Sequence, residues 1–248
     1  MQFSTKTYFG DLCLEDYGIV VERIHDDISQ ARVSSDERPI GYGDRVDYLS
    51  LEPKDIELEC RAFCDSWDEF ERLKRKLAPF LISDEEKPLM LRSCPGMHYM
   101  AHYSSYDEGD REGTGIAAFN ITFTASDPVK YGQETTTAIP GTMAVNGTSE
   151  ADYKIVANDV RGTMSGGVYV WGYMVDGEEF RVILGSSSAS VVEITSSARE
   201  KKRTVLVDGV TSIPTLDSDW PVLEPGEHTF EPVGSTGSAT VTWTERYL

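Results

Sequence analysis

Cysteine, histidine and clustered carboxylates are the residues of this chain that could do chemistry, and their spacing limits what that chemistry is. Cys60 and Cys64 lie four apart, as do Cys94 and His98, and together they could sketch a zinc site. No tight Cys-x-x-Cys pair accompanies them. His98 and His102 are also four apart, a spacing that places two ligands on one face of a helix. The segment Met97-His98-Tyr99-Met100-Ala101-His102-Tyr103 reads as a strand, where four residues span roughly 13 Å, too far for one ion. The run Asp107-Glu108-Gly109-Asp110-Arg111-Glu112-Gly113 does not follow the ligand order of a calcium loop and reads as a solvated hairpin tip. Asp217 and Asp219 receive the same reading. The sequence lacks a Gly-x-Ser-x-Gly elbow, a phosphate-cradling glycine loop and a His-Glu-x-x-His helix. These readings assign no catalytic residue, metal or cofactor. Trp171, Tyr173, Trp220 and Trp243 are the aromatics that could stack on a sugar, but Trp243 alternates with Val241 and reads as core.

The chain has 248 residues, a hydrophobic fraction of 40% and a charged fraction of 26%, the proportions of a soluble globular protein. No apolar run approaches the ~20 residues that cross a bilayer, and the N-terminus reads without a secretory signal. The four cysteines fall within the first 94 residues and read as reduced core residues of a protein made in the cytosol. A net charge of −19 opposes wrapping of a nucleic acid, which needs basic groups to displace counterions. It suits solubility, or a surface that DNA passes without sticking.

The elements that must position these residues differ between the two halves. Asp55 to Ala62 alternates, with Ile56, Leu58 and Cys60 on one face. A helix follows, with Ser66 as N-cap and Glu69 completing a capping box. Trp67, Phe70, Leu73 and Leu77 form its apolar stripe, and Pro79 marks its close. Leu89 to Ser93, Met97 to Ser105 and Ile116 to Ala125 read as strands, the last stopped by Asp127-Pro128. A helix laid across an antiparallel sheet accounts for this half. Ser29 to Asp47 is polar and reads as a long loop or extended hairpin arm.

Residues 149–248 hold seven strand candidates, separated by Asn158-Asp159, Gly166-Gly167, Asp176-Gly177 and Asp208-Gly209, which is the pattern of a β-sandwich. They run at Tyr153–Ala157, Val168–Val175, Glu179–Leu184, Ser190–Thr195, Arg203–Val207, Thr229–Val233 and Ala239–Tyr247. The expected division is a domain at 1–132, a turn-rich linker at 133–148 and a sandwich at 149–248.

The order of these parts resembles the distal tail protein family of siphophages, the phages with long non-contractile tails, particularly those of Gram-positive hosts. The resemblance rests on two groups of motifs. The first is Phe119 to Phe123 followed by Asp127-Pro128-Val129-Lys130-Tyr131. The second is Leu223-Glu224-Pro225-Gly226 followed by the alternating Val241 to Tyr247. It implies a mainly β protein: an N-terminal β-rich α+β ring-forming domain with one helix, then a C-terminal galectin-like β-sandwich. It further implies a non-enzymatic structural component of the virion tail tip or baseplate. Such a component forms a hexameric ring and contacts the tail tube protein, the tail-tip hub or tail-associated protein and the tape measure protein. DNA passes through its channel without specific binding, and no membrane is involved. The chain has no room for an inserted sugar-binding module, and the galectin sugar cluster is not recognisable. A carbohydrate-binding host-recognition protein acting through the sandwich is the alternative, and a wall hydrolase a third reading. On the ring reading, the arm reaches a neighbouring subunit, with Arg38 and Tyr42 as the expected interface residues.

Overall fold

The computed structural model describes residues 6–36, 45–112, 115–197, 202–234 and 236–248. Contacts divide the chain into two units, Met1–Tyr131 and Gly132–Tyr247. The fold is mainly β, with antiparallel sheets and, among the described residues, one α-helix.

In the first unit, β1 (Tyr8–Phe9), β2 (Leu12–Cys13) and a 3-10 turn (Glu15–Tyr17) precede β3 (Ile19–His25). A two-stranded ribbon follows, made of β4 (Ala31–Asp36) and β5 (Arg45–Leu51). Then come β6 (Lys54–Phe63), α1 (Trp67–Leu81), β7 (Lys87–Met90), β8 (Tyr99–Glu112) and β9 (Ile116–Ala125). Seven strands make one sheet in the order β2-β1-β7-β8-β9-β6-β3. The alternation of β6 and β9 explains their register. Ile56 pairs with Phe123, Leu58 with Ile121, Cys60 with Phe119 and Ala62 with Ala117, so all the dry side chains share one face. The helix covers that face with Phe70, Leu73, Leu77 and Leu81. Trp67 is only half-buried, and Leu81 takes the fourth fully packed place in the stripe.

The helix start follows its sequence signal with one displacement. Ser66 Oγ accepts from the Glu69 N–H at 3.3 Å, but the Glu69 carboxylate accepts from the N–H of Asp65 at 2.7 Å rather than from Ser66. Substituting Ser66→Ala removes the cap and lowers unfolding stability by about 1 kcal/mol; a shift under a third of that in urea titration would show the cap to be idle. The helix does not close at Pro79. It runs to Leu81, because a proline in the last turn forfeits one hydrogen bond while Leu81 gains a buried site and the Ile82 N–H still reaches the Ala78 carbonyl.

Strand β10 (Lys130–Ile139) begins with the last two residues of the first unit, Lys130 and Tyr131, and the second unit holds the rest of it with β11 (Gly141–Val145), β12 (Ser149–Arg161), β13 (Thr163–Ser165), β14 (Val168–Val175) and β15 (Glu178–Leu184). These are followed by β16 (Ser188–Ser197), β17 (Lys202–Val207), β18 (Val210–Ser212), β19 (Gly226–Val233) and β20 (Ser238–Tyr247). One sheet has the order β10-β20-β12-β16-β17-β18; the other is β11-β19-β14-β13, with β15 on β14. Their inner faces build one core, with Ile155, Val192, Ile194 and Val241 from the first sheet and Trp171, Tyr173, Phe180 and Phe230 from the second. Asp176-Gly177 and Asp208-Gly209 have positive φ at both residues, as a tight two-residue hairpin needs.

Two sequence expectations fail in this unit. The segment 133–148, expected as a linker, contributes most of β10 and all of β11. Its low charge and its threonines suit a sheet as well as a loop, and Ile139, Met143 and Val145 are buried. Asn158-Asp159 is not a turn: Asp159 takes φ 53°, yet β12 continues to Arg161 because β16 pairs with it on both sides of that residue.

Candidate assembly site

The described parts of the polar stretch expected as an arm form an antiparallel pair of strands. β4 and β5 pair from Ala31↔Leu51 to Asp36↔Arg45. Arg38 and Tyr42, the expected interface residues, belong to positions 37–44, outside the described residues. The described feature is therefore the foot of the arm, and it is held by a charged network.

Asp26 follows β3 directly, and Lys54 opens β6, so the two residues bracket the arm in sequence. Asp26 Oδ1 lies 2.5 Å from Lys54 Nζ, and Oδ2 lies 2.9 Å from Lys130 Nζ. The Tyr99 hydroxyl donates to Asp26 Oδ1 at 2.7 Å and accepts from Lys54 Nζ at 3.0 Å. Both ammonium groups also sit over the Tyr99 ring, at 5.2 and 5.3 Å from its centre. The side chains of Lys54, Asp26 and Lys130 are 9%, 12% and 23% exposed. Two backbone-directed bonds continue the clamp: Ser29 Oγ donates to the Pro128 carbonyl at 3.2 Å, and the Glu52 N–H to the Gln30 carbonyl at 2.9 Å.

Burial by itself would raise the Asp26 pKa, but hydrogen bonds from Lys54, Lys130 and Tyr99 outweigh it and hold the carboxyl below the ordinary aspartate range. Burial would lower Lys130, and its bond to Asp26 turns the balance upward. Tyr99 is pushed up by burial first and then by the Asp26 carboxylate. The network thus keeps its charged form and fixes where the arm leaves the sheet.

Of the residues with metal or sugar potential, Cys94 lies beside Lys130 of this network and the others lie elsewhere. Cys60 is buried, and burial pushes its thiol up to about 12. Cys64 and Cys94 are half-buried free thiols. His98 stacks on Tyr131 at 5.8 Å, and burial lowers its pKa. His102 lies 4.0 Å from Glu86. Among the described residues, no group of three His, Cys, Asp or Glu side chains is arranged to hold a metal. The acidic run from Asp107 to Glu112 is not a hairpin tip but the end of β8, paired with β9 through a bulge. Asp217 and Asp219 are exposed. Trp171, Tyr173 and Trp243 are buried. Trp220 packs on Phe180 at 4.9 Å, and the Arg203 guanidinium lies over its ring at 5.8 Å.

Sequence reasoning missed Asp26, Lys54, Tyr99 and Lys130. Their separation of up to 104 positions leaves no local spacing to read (130 − 26 = 104). Their one visible trace is Lys130 inside Asp127-Pro128-Val129-Lys130-Tyr131, a stretch that carried the family resemblance.

Comparison with known proteins agrees with this architecture. Residues 173–247 match the family profile "Siphovirus-type tail component, C-terminal domain", and residues 42–125 match "Phage tail protein RIFT-related domain". The distal tail protein of Bacillus phage SPP1 is 25% identical over 211 residues, covering 80% of this chain and 78% of that protein. The crystal structure of SPP1 Dit superposes with a TM-score of 0.77 at 20% identity, covering 98% of this chain and 99% of that one. A chain of the activated phage p2 baseplate shares the fold at a TM-score of 0.53 and 11% identity, covering 94% and 92%. With both profile matches and this fold on a chain of the same extent, the protein belongs to the siphophage distal tail protein family, structural components of the virion tail tip.

Proposed function

We propose that this protein is a ring-shaped hub of the tail tip, joining the tail tube to the distal host-adsorption apparatus around a channel for DNA. The carrying observation is the near end-to-end fold match, 98% of this chain on 99% of SPP1 Dit, a protein described as a paradigm of the hub adsorption apparatus in phages infecting Gram-positive hosts. The first unit is the proposed ring-forming domain. One surface of each copy meets a different surface of the next until the rotation closes, at six copies on the family pattern. The second unit is the proposed outward galectin-like sandwich. The partners are the tail tube protein, the tail-associated hub protein and the tape measure protein.

The acid excess, −19 over the chain, supports a lumen that DNA crosses without binding. The role is structural, not catalytic. The carbohydrate reading has less support, because Trp171, Tyr173 and Trp243 are packed into the core and the half-buried Trp220 is engaged by Phe180 and Arg203.

Purified protein viewed by negative-stain microscopy gives rings with a central hole. Light scattering gives their mass, and Arg38→Ala with Tyr42→Ala lowers the assembled fraction. Monomers at every concentration would count against the ring, and an unchanged mass in the double variant would remove those two residues from its interface.

A further inference from the structure

Three strands of the sandwich carry rows of facing residues toward the open end of its core. Ile155 of β12, Ile194 of β16 and Val205 of β17 pair across the sheet and are buried. The next row on the same face is Tyr153, Ser196 and Arg203, because residues two apart in a strand share a face. Alternation calls for an apolar residue at position 203, and the chain has an arginine there. Its guanidinium lies 5.8 Å over Trp220, which rests on Phe180 of the other sheet. Arg203 is exposed and, among the described residues, has no ion-pair partner. The row opens into a cavity of about 270 Å³, lined by Tyr153, Ser196, Arg203, Glu150, Val222 and Leu223 among others. Its apolar wall is fixed. The Tyr153 hydroxyl donates to the Pro221 carbonyl at 3.0 Å, and the Ala151 N–H to the Leu223 carbonyl at 2.8 Å. Val222, between those two anchors, is exposed. The cavity therefore sets an unpaired guanidinium beside a preformed apolar wall. The Trp220 ring is already engaged, so the cavity lacks an open aromatic platform for a sugar.

We propose that this cavity takes an acidic side chain from an extended segment of a partner protein. The carboxylate meets the Arg203 guanidinium, and an apolar neighbour in the segment lies against Pro221, Val222 and Leu223. Stacking on Trp220 uses the face of the guanidinium and leaves its edge free, and that edge is the fork that holds a carboxylate by two parallel bonds. Glu150, also without an ion-pair partner among the described residues, accepts a backbone N–H of the incoming segment, a donor that a free inorganic anion lacks. The cavity lies wholly within the second unit, so the inference goes beyond the ring reading and does not rest on it.

The test is isothermal titration of the full chain with two capped peptides, acetyl-Leu-Glu-Leu-amide and its glutamine counterpart acetyl-Leu-Gln-Leu-amide. Wild type, Arg203→Met and Arg203→Lys are compared. Position 203 is exposed, so both variants keep the fold, checked by thermal melting. The expected result is binding of the glutamate peptide to wild type. The glutamine peptide on wild type, and the glutamate peptide on Arg203→Met, then bind roughly ten-fold more weakly or worse, the loss of a charge-assisted hydrogen bond. Arg203→Lys falls between, because it keeps the charge and loses the fork. Galacturonate and inorganic phosphate, added at the peptide's own Kd, leave the peptide bound. No binding of the glutamate peptide, equal binding of the two peptides, or an unchanged Kd in Arg203→Met overturns the proposal. Displacement by galacturonate or by phosphate makes the cavity a sugar-acid or free-anion site and overturns the protein partner. None of these readouts depends on ring formation, so their failure leaves the hub reading to be judged by microscopy.

Discussion

Replacing Asp26 by alanine lowers the unfolding free energy by about 3 kcal/mol or more, because it strands two largely buried ammonium groups without their shared carboxylate. Equilibrium denaturation of the full chain reads the loss directly. The magnitude comes from the charges left behind rather than from the pair's own net worth. Replacing all three charges together (Asp26→Leu, Lys54→Met, Lys130→Met) therefore restores stability to within about 2 kcal/mol of wild type. A triple variant as weak as Asp26→Ala would show that specific geometry, not uncompensated charge, sets the cost. The pH dependence has a defined sign at each end. Asp26 is held below the ~3.9 of an unfolded aspartate, so its contribution is whole above that value and is lost as pH falls through the lower folded-state pKa. Lys130 is held above the ~10.4 of an unfolded lysine, so its contribution is whole below that value and is lost as pH rises through the higher folded-state pKa. Asp26→Ala removes the acid-side loss and moves the arm's anchor at neutral pH, so amide protection at Ser29 to Ala31 falls with it.

The second large effect lies in the sandwich. Gly172 is buried in the middle of β14, paired with Arg181 of β15 on one side and Val233 of β19 on the other. A Cβ built there would stand 2.0 Å from the Phe180 carbonyl oxygen and 2.9 Å from Arg181 Cα. Both are backbone atoms, so the clash is relieved only by parting β14 from β15. Trp171, Tyr173 and Phe180 pack around that seam and resist the parting. Gly172→Ala costs about 3 kcal/mol. Gly185→Ala, where nothing lies within 4 Å, stays within about 0.5 kcal/mol of wild type. Equal melting of the two variants would mean that the β14–β15 seam yields freely.

Where the signal was local, the sequence was readable. The β6 and β9 alternations, the Ser66 cap, the start of α1 and the Asp176-Gly177 and Asp208-Gly209 turns all depend on residues within a few positions of one another. Val168–Val175 has the same bounds in sequence and structure, because a glycine pair and an Asp-Gly pair enclose it. Errors came where a neighbouring strand decided. Residues 133–148 look like a linker until β20 and β19 lie beside them and supply partners for β10 and β11. Asn158-Asp159 has turn chemistry, but cross-strand pairing overrides a preference worth little by itself. The closing strand Ser238–Tyr247 alternates as read, and Trp243 is core.

Period, capping and turn chemistry act over a few residues, so the chain alone determined a mainly β protein with one amphipathic helix, and the motif order that resembles the distal tail family. The tertiary structure decided what depends on distant residues meeting. It brought Asp26, Lys54, Tyr99 and Lys130 into one largely buried network, set Trp220 against Phe180 and Arg203, and left Ile28 exposed. The physical reason is the same in each case. A buried charge is stable only beside its partners, and those partners come from strands far apart in sequence, so only the folded sheet could say which of the 42 acids was held.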